Sequence, residues 1–466
     1  MSVLTVIQGE KRDEIAFEGE VRLAALLSDY GYYVAQPCSR GVCKKCTVHL
    51  NGKSVLACKT VLSENCTVIL PPPEKMSVLT AEGETGRLTD NICLCLDIGS
   101  TTLALALVSL DEGSVIATKS APNPQRAFGA DVMSRIDYCT KNGVSQLQRA
   151  VTSAVSALCE ALLNGYSLAS VPDMYVSGNT TMLHLFLGED PSPMGVFPYT
   201  PAFLDRRTVE GKSIGIMQAE RVTALEGISA FVGADIVSGL RATGLPDKKY
   251  NMLIDLGTNA EIALFSRDRI LVSAAAAGPC FEGANISCGM SAVTGAVHAI
   301  SDDGRVSVIG DGEPSGLCAT GLIDAVAYGK KTGAIDPSGY MEGDLEICDG
   351  VTLLQKDVRE FQLAKSAIRA GCECLIKRAG ITAEDIGTLY ISGGFSAGLD
   401  IKNAVYLGLV SDELEEKAVC ISNSSLAGTV KYALSPDFYL PLDSAEYVDL
   451  SADVGFSMLF MEYMEL

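Results

Sequence analysis

Four cysteines stand close together near the start of the chain: Cys38, Cys43, Cys46 and Cys58, spaced C-x4-C-x2-C-x11-C. Three thiolates in one short loop, closed by a fourth from the following hairpin, make a wrapping for a [2Fe–2S] cluster, and the first two intervals match plant-type spacing. Gly41 relieves crowding where backbone must approach the inorganic sulfurs. A structural zinc site is the competing reading, but C-x4-C is loose for zinc and no second C-x2-C pair follows.

Three further segments could do chemistry together. Asp97-Ile98-Gly99-Ser100-Thr101-Thr102 ends an apolar strand, and Asp255-Leu256-Gly257-Thr258-Asn259-Ala260-Glu261 does the same later in the chain. Ser392-Gly393-Gly394-Phe395-Ser396-Ala397-Gly398 follows a third apolar strand. Glycine at such turns lets backbone amides face phosphate oxygens, and the hydroxyls add donors. An aspartate at a strand end suits hydrated Mg²⁺, which is held through one or two carboxylates plus phosphates. Gly393-Gly394 leaves room for a base and ribose against bare backbone. Each turn alone also fits an ordinary hairpin; two at equivalent places, followed by a Gly-Gly turn, are far more specific. No G-x-x-x-x-G-K-[ST] loop occurs, so a P-loop is excluded.

The elements that must position these residues fall into unequal parts. At roughly 100 to 200 residues per domain, 466 residues make about two to four domains. Residues 1–75 hold 9 Lys and Arg against 8 acids, whereas the whole chain carries −21, so the remainder is strongly acidic. A polyanion of that size repels nucleic acid. Pro71, Pro72 and Pro73 mark an extended segment between the two. The expected units are 1–72, a linker at 73–91, a first lobe at 92–250 and a second at 251–466. In the first unit, strands surround one helix whose Leu23, Leu26, Leu27 and Tyr30 recur at helical spacing, with Gly31 at its C-cap and an Asn51-Gly52 hairpin after the cysteine loop. The fold class is α+β followed by α/β: a small β-grasp unit, then a body in which strand, acidic turn and strand occur twice, each followed by helices.

On these residues the N-terminal segment resembles [2Fe–2S] ferredoxin-like domains, including the short x11 interval of succinate dehydrogenase iron–sulfur subunits. The body resembles the acetate and sugar kinase, Hsp70 and actin superfamily, whose two RNase H-like halves clamp ATP. That resemblance implies that Asp97 and Asp255 serve Mg²⁺ and the attacking water. It makes Gly99, Ser100, Thr101, Thr102, Gly257, Thr258, Asn259 and Glu261 part of the nucleotide site, with Gly393, Gly394, Phe395 and Ser396 at the adenosine. Val176 to Thr181 falls at the first connecting segment. The combination closely resembles the ATP-dependent reductive activators of corrinoid proteins, which reduce Co(II) corrinoid to Co(I) on a partner methyltransferase system. The likeness continues through Gly233-Ala234-Asp235, Ala276 to Gly283, Gly321 to Ala325, Arg359 to Lys365 and Asn423 to Gly428. It implies a low-potential electron donor upstream and a homodimer. It also implies that this chain lacks a middle domain found in larger members, because only about twenty residues, Pro71 to Asn91, separate ferredoxin from body.

Other readings stay open. A small-molecule kinase with a redox-sensing ferredoxin would need a further carboxylate, Asp235 or Glu282; an electron-transfer adaptor would sense nucleotide without hydrolysing it. The basic residues Arg40, Lys44, Lys45, Lys53 and Lys59 offer a docking rim or an ordinary solvated face. His184 reads as a satisfied core histidine, and Cys66, Cys93, Cys95, Cys280, Cys288, Cys318, Cys372 and Cys374 as packed thiols. No signal peptide or spanning segment is expected, which makes the protein cytoplasmic and not membrane-bound.

Overall fold

The computed structural model describes residues 2–9, 11–30, 32, 34, 44, 46–71, 86–246, 249–310 and 312–466. Cys38 and Cys43, with Gly31, Arg40, Gly41 and Lys45, lie outside them.

In the N-terminal unit, strands Ser2–Gln8 and Lys11–Phe17 form a hairpin, and Cys66–Leu70 returns parallel to the first of them. The hairpin Thr47–Leu50 with Lys53–Leu56 completes a mixed five-stranded sheet. Alternation puts Leu4, Val6, Ile15, Phe17, Val48, Val68 and Leu70 on one face, beneath Leu23 and Leu27 of helix Leu23–Asp29. Asn51 and Gly52 have φ of 48° and 78°, the left-handed pair a two-residue hairpin requires. This is the expected β-grasp arrangement.

The body holds two six-stranded sheets that share a five-strand core of three antiparallel and two parallel strands, the sixth strand lying beyond the parallel pair in the first sheet and, as Ala445–Tyr447, beyond the meander in the second. In the first, Ile92–Ile98, Thr102–Ser109 and Ser114–Pro122 form an antiparallel meander. Val171–Gly178 then lies parallel beside Ile92–Ile98, followed by Ala219–Ala224 and the edge strand Arg207–Glu210. In the second, Tyr250–Leu256, Ala260–Phe265 and Ile270–Ala275 form the meander, with Ile386–Gly393 and Ala418–Cys420 parallel on the other side. Parallel neighbours need long crossovers, and helices supply them: Ser145–Leu163 in the first lobe, Ala319–Thr332 and Gln355–Ala379 in the second. Central strands covered on both faces are near-continuously apolar up to their terminal aspartates.

Two helices are exchanged between the lobes. Helix Ala234–Thr243 follows a first-lobe strand, yet Ile236, Val237 and Leu240 pack with Leu253, Ala263, Phe265 and Val272 of the second sheet. Helix Ser424–Leu434 follows a second-lobe strand, yet Leu426 and Ala433 pack on Cys93, Cys95, Ala104 and Ala106 of the first. Where the helices cross, a Cβ on Gly428 would lie 1.7 Å from the Ser238 carbonyl oxygen, so only glycine permits that approach. No helix among the described residues is long and apolar enough to cross a membrane.

Candidate functional site

The two aspartate turns occupy equivalent places in the two sheets. In parallel register Asp97 stands beside Ser177 and Asp255 beside Ser392. Gly178 and Gly393 follow as counterparts: a Cβ there would meet the Ile98 carbonyl oxygen at 2.7 Å and the Leu256 carbonyl oxygen at 2.2 Å, with φ of 154° and 121°. The turns close alike, the Gly99 N–H donating to the Thr102 carbonyl (2.9 Å) and the Gly257 N–H to the Asn259 carbonyl (3.0 Å). The second turn is one residue shorter, which places Glu261 directly across from Asp255, where the first sheet has Ala104 across from Asp97.

Around these turns the exchanged helices bring their first residues. Asn423 Nδ2 donates to Asp97 Oδ2 (3.0 Å) and Ser425 Oγ to Asp97 Oδ1 (2.7 Å). Burial raises the Asp97 pKa, while Ser425 and Asn423 pull it back. On the opposite side Asp235, at the start of the other exchanged helix, faces Asp255. Burial, and then the Asp255 charge, pushes Asp235 up to about 7. Burial likewise raises Asp255 to about 6, against the Ser392 hydroxyl and with Asp97 adding to the rise. Glu261 is driven well above the ordinary carboxylate range by burial, Asp235 and Asp255. Glu282 is also raised by burial, although Thr258 Oγ1 donates to it at 2.8 Å. The Asp255 charge raises Asp235, and both raise Glu261, with no cation paired to these three among the described contacts, whereas Arg126 and Arg135 act on Glu282. Among the described residues no three metal-ligating side chains stand close enough to hold an ion by themselves. An ion held through one or two carboxylates, waters and phosphate needs no such trio.

The third motif divides into parts. Gly394 is exposed and a Cβ on it would meet nothing within 4 Å, so bare backbone faces open space there. Phe395 instead packs on Phe281, ring centroids 5.4 Å apart, and Ser396 is buried, donating to the Ile421 carbonyl (2.6 Å) with the Gly393 carbonyl 3.0 Å away. Their side chains shape the Gly-Gly turn. Val176 to Thr181 is a strand end followed by helix Thr180–Leu187, capped by Asn179.

Of the cluster cysteines, Cys46 and Cys58 are described: both are buried, with their sulfurs 3.2 Å apart. Two converging thiols at that distance fit half of a four-thiolate cluster site. Lys44, Lys53 and Lys59 are exposed around them.

The sequence reading missed the supports of the first turn. Buried Arg135 donates through Nη2 to the Ser100 carbonyl (2.5 Å) and through Nε to the Gly129 carbonyl (3.0 Å). Burial lowers its pKa to about 10. Asn123 donates its backbone N–H to the Thr101 carbonyl and Nδ2 to the Gly99 carbonyl, both at 2.8 Å. Neither residue sits in a recognisable motif. Asn423 and Ser425 lay inside a quoted segment, but nothing in its pattern assigned them to Asp97. His184 is fully buried, its Nδ1 2.7 Å from the Thr180 carbonyl and its Nε2 accepting from the Ala202 N–H (2.9 Å). Burial pushes Cys280 and Cys372 up to about 12 and Cys95 well above the ordinary thiol range, as inert packed thiols.

Comparison with known proteins bears on this arrangement. Residues 249–466 match the C-terminal domain of RACo, the ASKHA domain, and residues 92–248 match the RACo middle region. The chain belongs to this family. The RACo match overturns one expectation: the middle region is present, and it is the first lobe itself. The short Pro71–Asn91 segment therefore does not replace it. The reason is structural, since the middle region has its own sheet and half of the cleft and so reads from sequence as the body's first lobe.

Individual relatives agree with the family assignment. The corrinoid activation enzyme RamQ of Eubacterium limosum is 33% identical over 384 residues, 74% of this chain and 64% of that protein, so the chain spans less than two thirds of that relative's length. The [Co(II) methylated amine-specific corrinoid protein] reductase of Methanosarcina barkeri is 28% identical over 384 residues, 72% of this chain and 68% of that protein. The solved structure of a reductive activator for corrinoid, iron–sulfur protein superposes with a TM-score of 0.72 at 26% identity, covering 99% of this chain and 98% of that one.

Proposed function

We propose that this chain is an ATP-dependent reductive activator of a corrinoid protein in a methyltransferase system. It would return inactive Co(II) corrinoid to Co(I) with one electron received from a low-potential donor. The observation that carries this reading is the pairing, in one RACo-family chain, of converging thiols at Cys46 and Cys58 with a two-lobed cleft bearing twin aspartate turns. A [2Fe–2S] cluster held by Cys38, Cys43, Cys46 and Cys58 would supply the one-electron chemistry when bound. The corrinoid belongs to the partner: only His49, His184 and His298 occur in the chain, and His184 is held by backbone on both ring nitrogens.

In the cleft, Gly99 to Thr102 and Gly257 to Asn259 would bind phosphates, Asp97 and Asp255 would orient Mg²⁺ and the attacking water, and Gly393-Gly394 would receive the adenosine. Each roughly 59 mV uphill for one electron corresponds to about 1.4 kcal/mol. ATP can cover such a gap only when its binding and hydrolysis change how the body holds the partner, that is, when nucleotide states differ in partner affinity. The units 1–72, 73–91, 92–250 and 251–466 would divide electron delivery from this grip, in a cytoplasmic homodimer. The test is anaerobic mixing of the chain, reductant and ATP with a Co(II) corrinoid protein, following Co(I) absorbance. Co(I) should accumulate only with ATP and not with C46S or D255N. Equal reduction without ATP sinks the proposal, and phosphorylation of a small molecule would favour a kinase.

A further inference from the structure

Residues 423–425 belong to the second lobe by sequence, yet they address both aspartates. Asn423 and Ser425 donate to the two oxygens of Asp97 at 3.0 and 2.7 Å. Between them, the Ser424 N–H donates to Ser392 Oγ at 3.3 Å, and Ser392 stands beside Asp255 in register. The same short stretch is tied to the second sheet by the Ile421 N–H bond to the Ile391 carbonyl (2.8 Å).

Behind Ser425 runs a buried hydroxyl chain. Ser177 Oγ lies 2.8 Å from Ser425 Oγ, and Thr429 Oγ1 lies 2.7 Å from Ser177 Oγ. Ser425 spends its one hydroxyl proton on Asp97, so Ser177 donates to Ser425, while Thr429 Oγ1 has both Ser177 Oγ (2.7 Å) and the Ser425 carbonyl (2.8 Å) within reach. Ser177 lies on the strand beside Asp97, so Asp97 is fixed jointly by its own sheet and by a helix start from the other lobe. At the crossing, Gly428 brings that helix directly against the Ser238 backbone of the other exchanged helix.

We infer that Asn423 and Ser425 are positioning residues for Asp97, making the geometry of the first-lobe aspartate depend on the second lobe. This rests on the ATP-hydrolysing reading above and extends it: the Asp97 carboxylate is aimed into the cleft only while the start of helix Ser424–Leu434 is seated. Movement of the lobes and competence of the first turn are then one event.

The experiment is a double-mutant cycle on phosphate release by the full cluster-loaded chain, with wild type, S425A, N423A, D97N and D97N/S425A. A lost hydrogen bond to a charged group should lower kcat about tenfold in S425A, with KM for ATP changed less than about threefold. N423A should show the same split. In the D97N background S425A should add less than about a further twofold, because its effect passes through Asp97. An unchanged kcat, a change in KM alone, or an equal drop in the D97N background would overturn the inference. Absence of phosphate release by the wild type would refute the ATP-hydrolysing reading instead. The same four variants of the cycle then decide the positioning by thermal unfolding: non-additive Tm shifts for D97N and S425A support it, and additive shifts overturn it.

Discussion

The two lobes present the same strand, turn and strand to the cleft, but the groups facing the two aspartates differ. Against Asp97 the exchanged helix places Ser425 at its second position; against Asp255 the other exchanged helix places Asp235 at the matching second position. A hydroxyl donates and favours the charged form of its neighbour, whereas a second buried carboxylate disfavours it. One scaffold used twice thus sets Asp97 among hydrogen-bond donors and Asp255 among further buried carboxylates. The halves are thus structural repeats whose aspartates stand in different surroundings.

The comparison can be broken by experiment. The largest effect is expected from D255N, which should cut phosphate release by about 10²- to 10³-fold in a colorimetric phosphate assay. An effect no larger than that of S425A would mean that the two sides share one role. Next come the paired glycines. G393A forces a Cβ to 2.2 Å from the Leu256 carbonyl oxygen and G178A to 2.7 Å from the Ile98 carbonyl oxygen. Both should lower stability by about 1–3 kcal/mol in urea titrations, G393A more, while G394A should leave the urea midpoint in place and weaken nucleotide binding.

A smaller effect of opposite sign is expected for D235N. Asparagine keeps the acceptor that takes the Ile236 N–H at 2.9 Å and removes the buried like charge. The variant should therefore gain about 1 kcal/mol of stability at pH 8 without divalent cations while losing ATP turnover, read as a raised urea midpoint beside a slower phosphate assay.

The smallest effect is a pH dependence away from the cleft. Burial lowers the His184 pKa below its ordinary 6.5. The unfolded chain then binds the proton more readily, so this contribution is complete above about pH 6.5 and is lost as pH falls below it, by at most about 1.4 kcal/mol per pH unit. The buried acids of the cleft regain stability over the same range, so the check is the difference: from pH 7.5 to 5.5 the urea midpoint of wild type should drop relative to that of H184Q.

What could be read in advance followed from locality. Gly and Asp at strand ends, thiol spacing and an Asn-Gly hairpin are short-range signals, because turn geometry and ligand wrapping are set by neighbours in sequence. Arg135 behind Ser100, and Ser425 beneath Asp97 across 328 positions, carry no such signal. Phe395 and Ser396 show the converse: they sit in a legible motif, yet packing against Phe281 and bonding to Ile421 turn their side chains to shaping the turn. The middle region was likewise visible as strands and turns, and its identity as the first lobe came only from the family match.

Legible in the residues alone were the thiol spacing, the two aspartate turns, the Gly-Gly turn and the near-neutral start of a −21 chain. The tertiary structure alone decided that the helices starting at Ala234 and Ser424 are exchanged between sheets, and therefore which side chain faces which aspartate. The physical reason is that an apolar helix face shows that it must be buried without naming the sheet that buries it. That choice rests on close packing at Gly428 and Ser238, between residues far apart in the chain.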